Sequence, residues 1–237
     1  MSNTKTHILV TGASRGIGKA ILESLDRDNV TVVGQSTVGG DGLLAADFTR
    51  EGAAPGLWEQ ALDRLDGRID VLVNNAGLFQ PNPITADDWL DSWNRTMTIN
   101  LTASAELCRL AVLHFQQRAE PGRIVNIASR AAYRGDGPDH WHYAASKGGM
   151  VAMTKTIARA YAHQQILAFA ICPGFTMTGM AEDYLASRGG DKLLADIPLG
   201  RVAQPEEIAS MARYCALDAP ASMTGAVLDA NGASFVR

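Results

Sequence analysis

His7-Ile8-Leu9-Val10-Thr11-Gly12-Ala13-Ser14-Arg15-Gly16-Ile17-Gly18 is an apolar run, a glycine-rich turn and the start of a helical pattern. It predicts a strand over 7–11, a tight loop and a helix over 18–25. Glycines suit such a loop because any side chain would hold a phosphate away from the backbone. The helix that follows offers free N–H groups and the positive end of its dipole. The spacing is Gly-x-x-x-Gly-x-Gly, not the commoner Gly-x-Gly-x-x-Gly dinucleotide fingerprint. Glycines also serve plain tight turns, so the position directly after the first strand is what points to a pyrophosphate. Gly12, Ser14, Arg15, Gly16, Ile17 and Gly18 are the candidate phosphate-loop residues.

Further along, short β-branched or apolar runs (30–34, 43–47, 71–74, 123–128, 167–172 and 226–229) alternate with helical patterns (57–65, 89–118, 144–163 and 206–216). The runs are nearly continuous in hydrophobicity, which predicts strands covered on both faces. Such a β-α alternation implies right-handed crossovers and an α/β doubly wound parallel sheet of Rossmann type, with helices on both faces. Residues 1–237 read as a single domain. The stretch 130–142, rich in Gly, Asp and Pro, and the stretch 177–200 depart from the alternation. Loops of that length tend to carry function.

Bulk properties narrow the class. The chain has 237 residues, 46% hydrophobic, enough for a large core. A formal net charge of −4 and no basic run give no footprint for nucleic acid. Cys108, Cys172 and Cys215 are odd in number and widely spaced. They read as buried thiols in a reducing compartment, not a disulfide framework or zinc site. The polar N-terminus lacks a signal-peptide core, and no apolar run reaches membrane-spanning length. The expectation is a soluble cytoplasmic protein without membrane or metal.

Tyr143 and Lys147 stand four apart in a helical segment and so share a face. A free tyrosine titrates at about 10. An ammonium roughly 4 Å away, at an effective dielectric near 20, favours phenolate by about 4 kcal/mol, which would bring Tyr143 near working pH. Alone, Tyr-x-x-x-Lys is a common accident on helices. Together, however, Thr11-Gly12-x-x-x-Gly16-x-Gly18, Asn74-Asn75-Ala76-Gly77, Tyr143-x-x-x-Lys147 and Pro173-Gly174 resemble the short-chain dehydrogenase/reductase family, in order and over essentially the whole chain. Pro198-Leu199-Gly200-Arg201, Pro205-Glu206-Glu207-Ile208-Ala209 and Thr224-Gly225 are similar to the branch that contains 3-oxoacyl-carrier-protein reductases.

That resemblance implies catalytic roles for Asn100, Ser129, Tyr143 and Lys147. Ser129, fourteen residues before Tyr143, would donate to the substrate carbonyl oxygen as charge grows on it. Tyr143 would exchange the proton, and Lys147 would also bind the nicotinamide ribose. Asn100 reads equally as a core amide. The resemblance assigns it, with a local helix distortion, to a water-linked proton relay. Asn74 would tie its strand to that helix and border the ribose. Ala76 and Gly77 follow it along the cofactor, while Pro173, Gly174, Thr176 and Thr178 would wrap the carboxamide. Asp47, with Phe48, matches the position that accepts from the adenine amino group, although a lone Asp at a strand end also serves as a cap.

NAD-specific relatives carry an Asp at the end of the second strand. Here Gln35-Ser36-Thr37 has no carboxylate, so Ser36, Thr37 and Arg15 suggest NADP, with NAD as the alternative. Substrate contacts fall on Ser129, Arg130, Trp141 and Tyr143, with Phe175, Met180 and Tyr184 in or beside the 177–200 segment. His140 and His142 read as solvent-exposed imidazoles, not ligands. Arg130 and Arg134 are the obvious basic donors for an acidic carrier, and Gln164-Gln165 stands where such enzymes often carry a base. A 3-oxoacyl thioester, a small ketone or sugar-like alcohol, and a non-catalytic nucleotide-binding regulator all remain open. Surplus apolar residues on the long helices (Leu101, Leu107, Leu110, Val151 and Met153) suggest a helix–helix subunit interface, and the resemblance implies a homotetramer with 230–237 near a second interface.

Overall fold

The computed structural model describes residues 5–178 and 190–237. Seven parallel strands form one sheet in the order β3-β2-β1-β4-β5-β6-β7. They are β1 Thr6–Val10, β2 Val30–Ser36, β3 Leu44–Ala45, β4 Val71–Asn74, β5 Gly122–Ile127, β6 Ile166–Pro173 and β7 Val227–Ala230. The helices are α1 Gly16–Leu25, α2 Ala53–Arg64, α3 Trp89–Met97, α4 Ala103–Arg118, α5 Ala131–Arg134, α6 Trp141–Tyr161, α7 Gly190–Ala195 and α8 Pro205–Arg213.

Alternation along each strand builds two core layers, because successive side chains leave opposite faces. Leu9, Leu72, Ile124 and Ala168 pack with Leu57 and Trp58 of α2, Leu107 and Phe115 of α4 and Ile157 of α6. Their neighbours Ile8, Val10, Val71, Val73, Val125 and Phe169 pack on the other face with Ile21 and Leu25 of α1 and Ile208 and Ala212 of α8. All three cysteines are buried free thiols. The strand order reverses between β1 and β4, so a crevice opens at their C-terminal ends, the position where doubly wound sheets bind ligands.

Boundaries differ from the sequence reading in two informative places. The predicted helix 89–118 is one continuous rod, but a π-helical turn, Thr98–Thr102, interrupts it. The stretch 130–142 is not all loop. Ser129 accepts the Ala131 N–H with its hydroxyl at 3.1 Å and starts α5, and α6 already begins at Trp141. Positive φ at Gly135 ends α5, a conformation glycine adopts without steric cost.

Candidate active site

The glycine loop is compact because its glycines are packed against backbone. A Cβ on Gly18 would lie 2.0 Å from the Gly12 carbonyl oxygen, and one on Gly12 (φ 65°) would lie 2.7 Å from Ala76 Cα. A Cβ on Gly16 would meet Thr178 at 2.9 Å, which brings the loops after β1 and β6 together. Asn75 braces this loop, donating its side-chain amide to the carbonyls of Thr11 (3.1 Å) and Gly12 (3.0 Å). The Thr11 hydroxyl accepts from the N–H groups of Asn75 and Ala76, each at 3.0 Å. Gln35 fixes it from the other side, accepting from Gly12 N–H at 2.9 Å and donating to Ala46 carbonyl at 2.7 Å. The sequence reading gave none of Asn75, Thr11 and Gln35 a role. Asn75 lay inside a quoted motif, whereas Gln35 was read only as a missing carboxylate.

Among the described residues, the backbone N–H groups from Ser14 to Ile17 donate to no backbone or side-chain acceptor. Together with the exposed side chains of Ser14 and Arg15, they leave an electropositive cradle at the start of α1. Ser36 contributes less than expected. Its buried hydroxyl is taken up by Gly39, accepting from its N–H at 2.9 Å, while Thr37 is exposed. Asp47 accepts from the backbone and hydroxyl of Thr49, at 3.0 and 2.7 Å, which holds its carboxyl below the usual range. That is the cap geometry open to a strand-end Asp. The Phe48 side chain lies in the core, which leaves only its backbone to face a ligand.

Asn74 ties β4 to α4 through Cys108 Sγ (3.3 Å), and to β5 through Asn126 Oδ1 (2.9 Å). Asn126 in turn donates to Thr154 Oγ1 of α6 at 2.8 Å. The side chain of Asn74 is therefore inside the core and does not border the crevice. Asn100, in the π turn, is wholly buried. Its Oδ1 accepts from Leu78 N–H at 2.7 Å, and its Nδ2 donates to Leu78 carbonyl at 3.0 Å and Ser146 Oγ at 3.2 Å. Gly77 lies between Asn100 and Lys147: a Cβ built on it would be 3.6 Å from both Asn100 Oδ1 and Lys147 Nζ.

Ser129 follows β5, and Tyr143 and Lys147 project from one face of α6. The Ser129 hydroxyl lies near enough to the Tyr143 phenol to lower its pKa. Here the expected electrostatics are corrected. Lys147 donates to the Ile127 carbonyl at 2.8 Å and lies 5.8 Å from the Tyr143 ring centre, not against its oxygen. Burial pushes the Tyr143 phenol up to about 12, opposed by the nearby Ser129 hydroxyl, and pushes Lys147 down to about 8. Desolvation outweighs the pairing because both groups lose water and neither gains the other as a direct partner. Tyr143 is thus a proton-bearing acid in this state. Cys172, at the end of β6, is buried beside the pair, and burial lifts its thiol to about 11.

Pro173, Gly174, Phe175, Thr176, Met177 and Thr178 lead away from β6. Thr176 pairs with Ala203 as a lone parallel bridge. Arg130 is buried beside this loop, its guanidinium 4.9 Å from the Phe175 ring centre. Trp141 is not brought to the site. It precedes Tyr143 by two on α6, which places it on another face, 56% exposed and edge-on to Trp89 at 6.5 Å. Met180 and Tyr184 lie outside the described residues. His142 is 1% exposed, which corrects the expectation of a solvent imidazole, and burial lowers its pKa. His140 stacks on Phe79 at 4.2 Å, and Phe79 meets the Tyr143 ring edge-on at 4.7 Å. Phe79, missed in the sequence, forms one wall beside Tyr143.

A glycine cradle at the sheet's switch point thus stands beside Ser129, where β5 ends, and Tyr143 and Lys147, in the first turns of α6. The family model described as enoyl-(acyl carrier protein) reductase matches residues 12–232. The chain belongs to the short-chain dehydrogenase/reductase family. Among curated proteins, it is 36% identical to a 3-oxoacyl-[acyl-carrier-protein] reductase of Synechocystis sp., over 94% of each chain. It is 34% identical to the FabG reductase of the same description from Vibrio harveyi and 32% identical to that of Escherichia coli, each over 96% of both chains. This member of the family is an NAD(P)-dependent oxidoreductase. Among the described residues, no helix is long and apolar enough to cross a membrane.

Proposed function

We propose that the chain is an NADP(H)-dependent oxidoreductase that interconverts a ketone and a secondary alcohol. The observation that carries this reading is the grouping of Ser129, Tyr143 and Lys147 where β5 ends and α6 begins, beside a loop whose free amides can receive a pyrophosphate. When bound, a nicotinamide supplies or accepts the hydride at the carbonyl carbon. Tyr143, protonated through the neutral range, gives its hydroxyl proton to the carbonyl oxygen. Ser129 orients that oxygen and stabilises charge as it grows. Lys147, charged below about 8, holds the ribose hydroxyls and keeps the phenol's surroundings polar. Asn100 holds Leu78 and with it the floor of the site.

The preference for NADP rests on Arg15 and Thr37, both exposed where no carboxylate would repel a 2′-phosphate. A charge-assisted contact of that kind contributes about 1.5–3 kcal/mol, roughly ten- to a hundredfold in affinity. The experiment compares kcat/KM for NADPH and NADH in the wild type and in Arg15→Ala. NADPH is expected to win by tenfold or more, and the variant to lose most of that margin. Equal values in the wild type, or an unchanged ratio in the variant, would overturn the NADP preference.

The curated relatives are named for 3-oxoacyl groups on an acyl carrier protein, which makes a 3-oxoacyl thioester the first substrate to try. A small free carbonyl compound is the second reading, and a specific observation favours it. Of Arg130 and Arg134, the expected basic rim for an acidic carrier, Arg130 is buried and Arg134 is paired with Asp196, and position 164–165 is neutral. The working form is taken to be a cytoplasmic homotetramer. Partly buried Leu110 and Met153 and exposed Leu113 on the long helices support its interface. A nucleotide-binding regulator would give no turnover with any carbonyl in the same assays.

A further inference from the structure

We propose that the substrate carries an anionic group a few carbon atoms from the carbonyl, and that Arg130 receives it. The inference rests on the free-carbonyl reading above. Arg130 directly follows Ser129, and its backbone N–H donates to the Pro173 carbonyl at 2.9 Å. That bond fixes the arginine where β5 and β6 end, between the hydroxyl that meets the carbonyl and the loop that follows Pro173-Gly174. The guanidinium lies over the ring of Phe175 in that loop.

The residue is only 9% exposed, yet among the described residues its guanidinium makes a single hydrogen bond, a long one of 3.5 Å to Asp196 Oδ2. That carboxylate oxygen is better used by Arg134, at 2.7 Å, which also donates to the Ser234 carbonyl. Among the described residues, two guanidinium groups therefore face one contacting carboxylate, with Asp136 the further acid within electrostatic reach. A buried cation with most of its donors unused is costly unless an oxoanion completes it, and the planar guanidinium fork matches carboxylate or phosphate. Phe175 beneath it would pack the apolar carbons that join the anion to the ketone.

The test uses straight-chain 3-, 4- and 5-oxo acids, each paired with its methyl ester, as substrates with NADPH. The wild type is expected to prefer at least one acid over its ester by tenfold or more in kcat/KM. Arg130→Met should reduce that acid-to-ester ratio tenfold or more, Arg130→Lys should keep part of it, and Asp196→Asn should raise it by removing the competing carboxylate. Should Arg130→Met fail to fold, the wild-type ratio and Asp196→Asn still decide. Esters reduced as well as acids, or a ratio indifferent to both positions, would overturn the proposal while leaving the reductase reading intact. Were no carbonyl turned over, that reading itself would fail. The acid and ester affinities of the Tyr143→Phe protein, measured by calorimetry with NADPH present, would then test the anion site alone: a tighter acid supports it and equal affinities refute it.

Discussion

The carboxamide of Asn100 and the backbone of Leu78 hold each other by two hydrogen bonds, N–H to Oδ1 at 2.7 Å and Nδ2–H to carbonyl at 3.0 Å. The π turn at Thr98–Thr102 places the Asn100 side chain inside an otherwise continuous helix, wholly buried, with Leu78 as its mate. Phe79 follows at once and packs on Tyr143. The clasp thus connects a distortion in the helix to the wall of the catalytic tyrosine.

Asn100→Ala strips both backbone partners from Leu78. Unpaired buried groups cost about 1–3 kcal/mol, and in a chain of this size that lowers Tm by roughly 2–10 °C. Thermal unfolding followed by circular dichroism measures the loss. Turnover should fall as well, since Phe79 loses its anchor. An unchanged Tm would show that the clasp carries no stability.

Two glycine substitutions should differ in sign. Gly18→Ala drives a methyl group to 2.0 Å from the Gly12 carbonyl and 2.4 Å from Asn75 Nδ2, so the loop must open. Cofactor affinity and stability should both fall, the latter by about 2 kcal/mol or more. Gly56, inside α2, has nothing within 4 Å of its Cβ position. Gly56→Ala should stabilise by about 0.5–1 kcal/mol through helix propensity. Denaturant titrations of both variants, with a fluorescence titration of NADPH for the first, check the contrast.

The position of Lys147 predicts a pH dependence of cofactor binding. Its free-protein pKa is about 8, held down by burial. A ligand that engages the charged amine raises this value, so affinity is full below about 8 and falls as pH rises through it. An NADPH titration between neutrality and mildly alkaline pH should show Kd rising by up to tenfold per pH unit above that point. Lys147→Met should bind weakly and without the break. A wild-type Kd flat across the range would contradict the assigned role of the amine.

The sheet, its two-sided cover and the shared helix face of Tyr143 and Lys147 were legible because each rests on a local signal. Continuous apolar strands, glycines forced by close backbone packing, and an i, i+4 pair on one helix face all stand in the sequence itself. What sequence did not convey depends on contacts between distant segments. The competition between desolvation and pairing at Tyr143 turns on where Lys147 sends its proton, and Ile127 lies twenty residues away. His142 reads as polar, but the packing of α6 buries it. Arg130 and Arg134 look like an open basic rim, but Arg130 is buried and Asp196, more than sixty residues on, takes Arg134. Phe79 had no motif to announce it, since only its spatial neighbours His140 and Tyr143 give it a role.

The central claim is that Tyr143 transfers the proton in a nicotinamide-dependent carbonyl reaction. The measurement that meets it most directly is NADPH oxidation by the wild type and Tyr143→Phe with a turned-over ketone, alongside NADPH affinity for both proteins. The account predicts that Tyr143→Phe binds NADPH within about twofold of the wild type and loses about 10² or more in turnover. A Tyr143→Phe enzyme with near-normal turnover would contradict it.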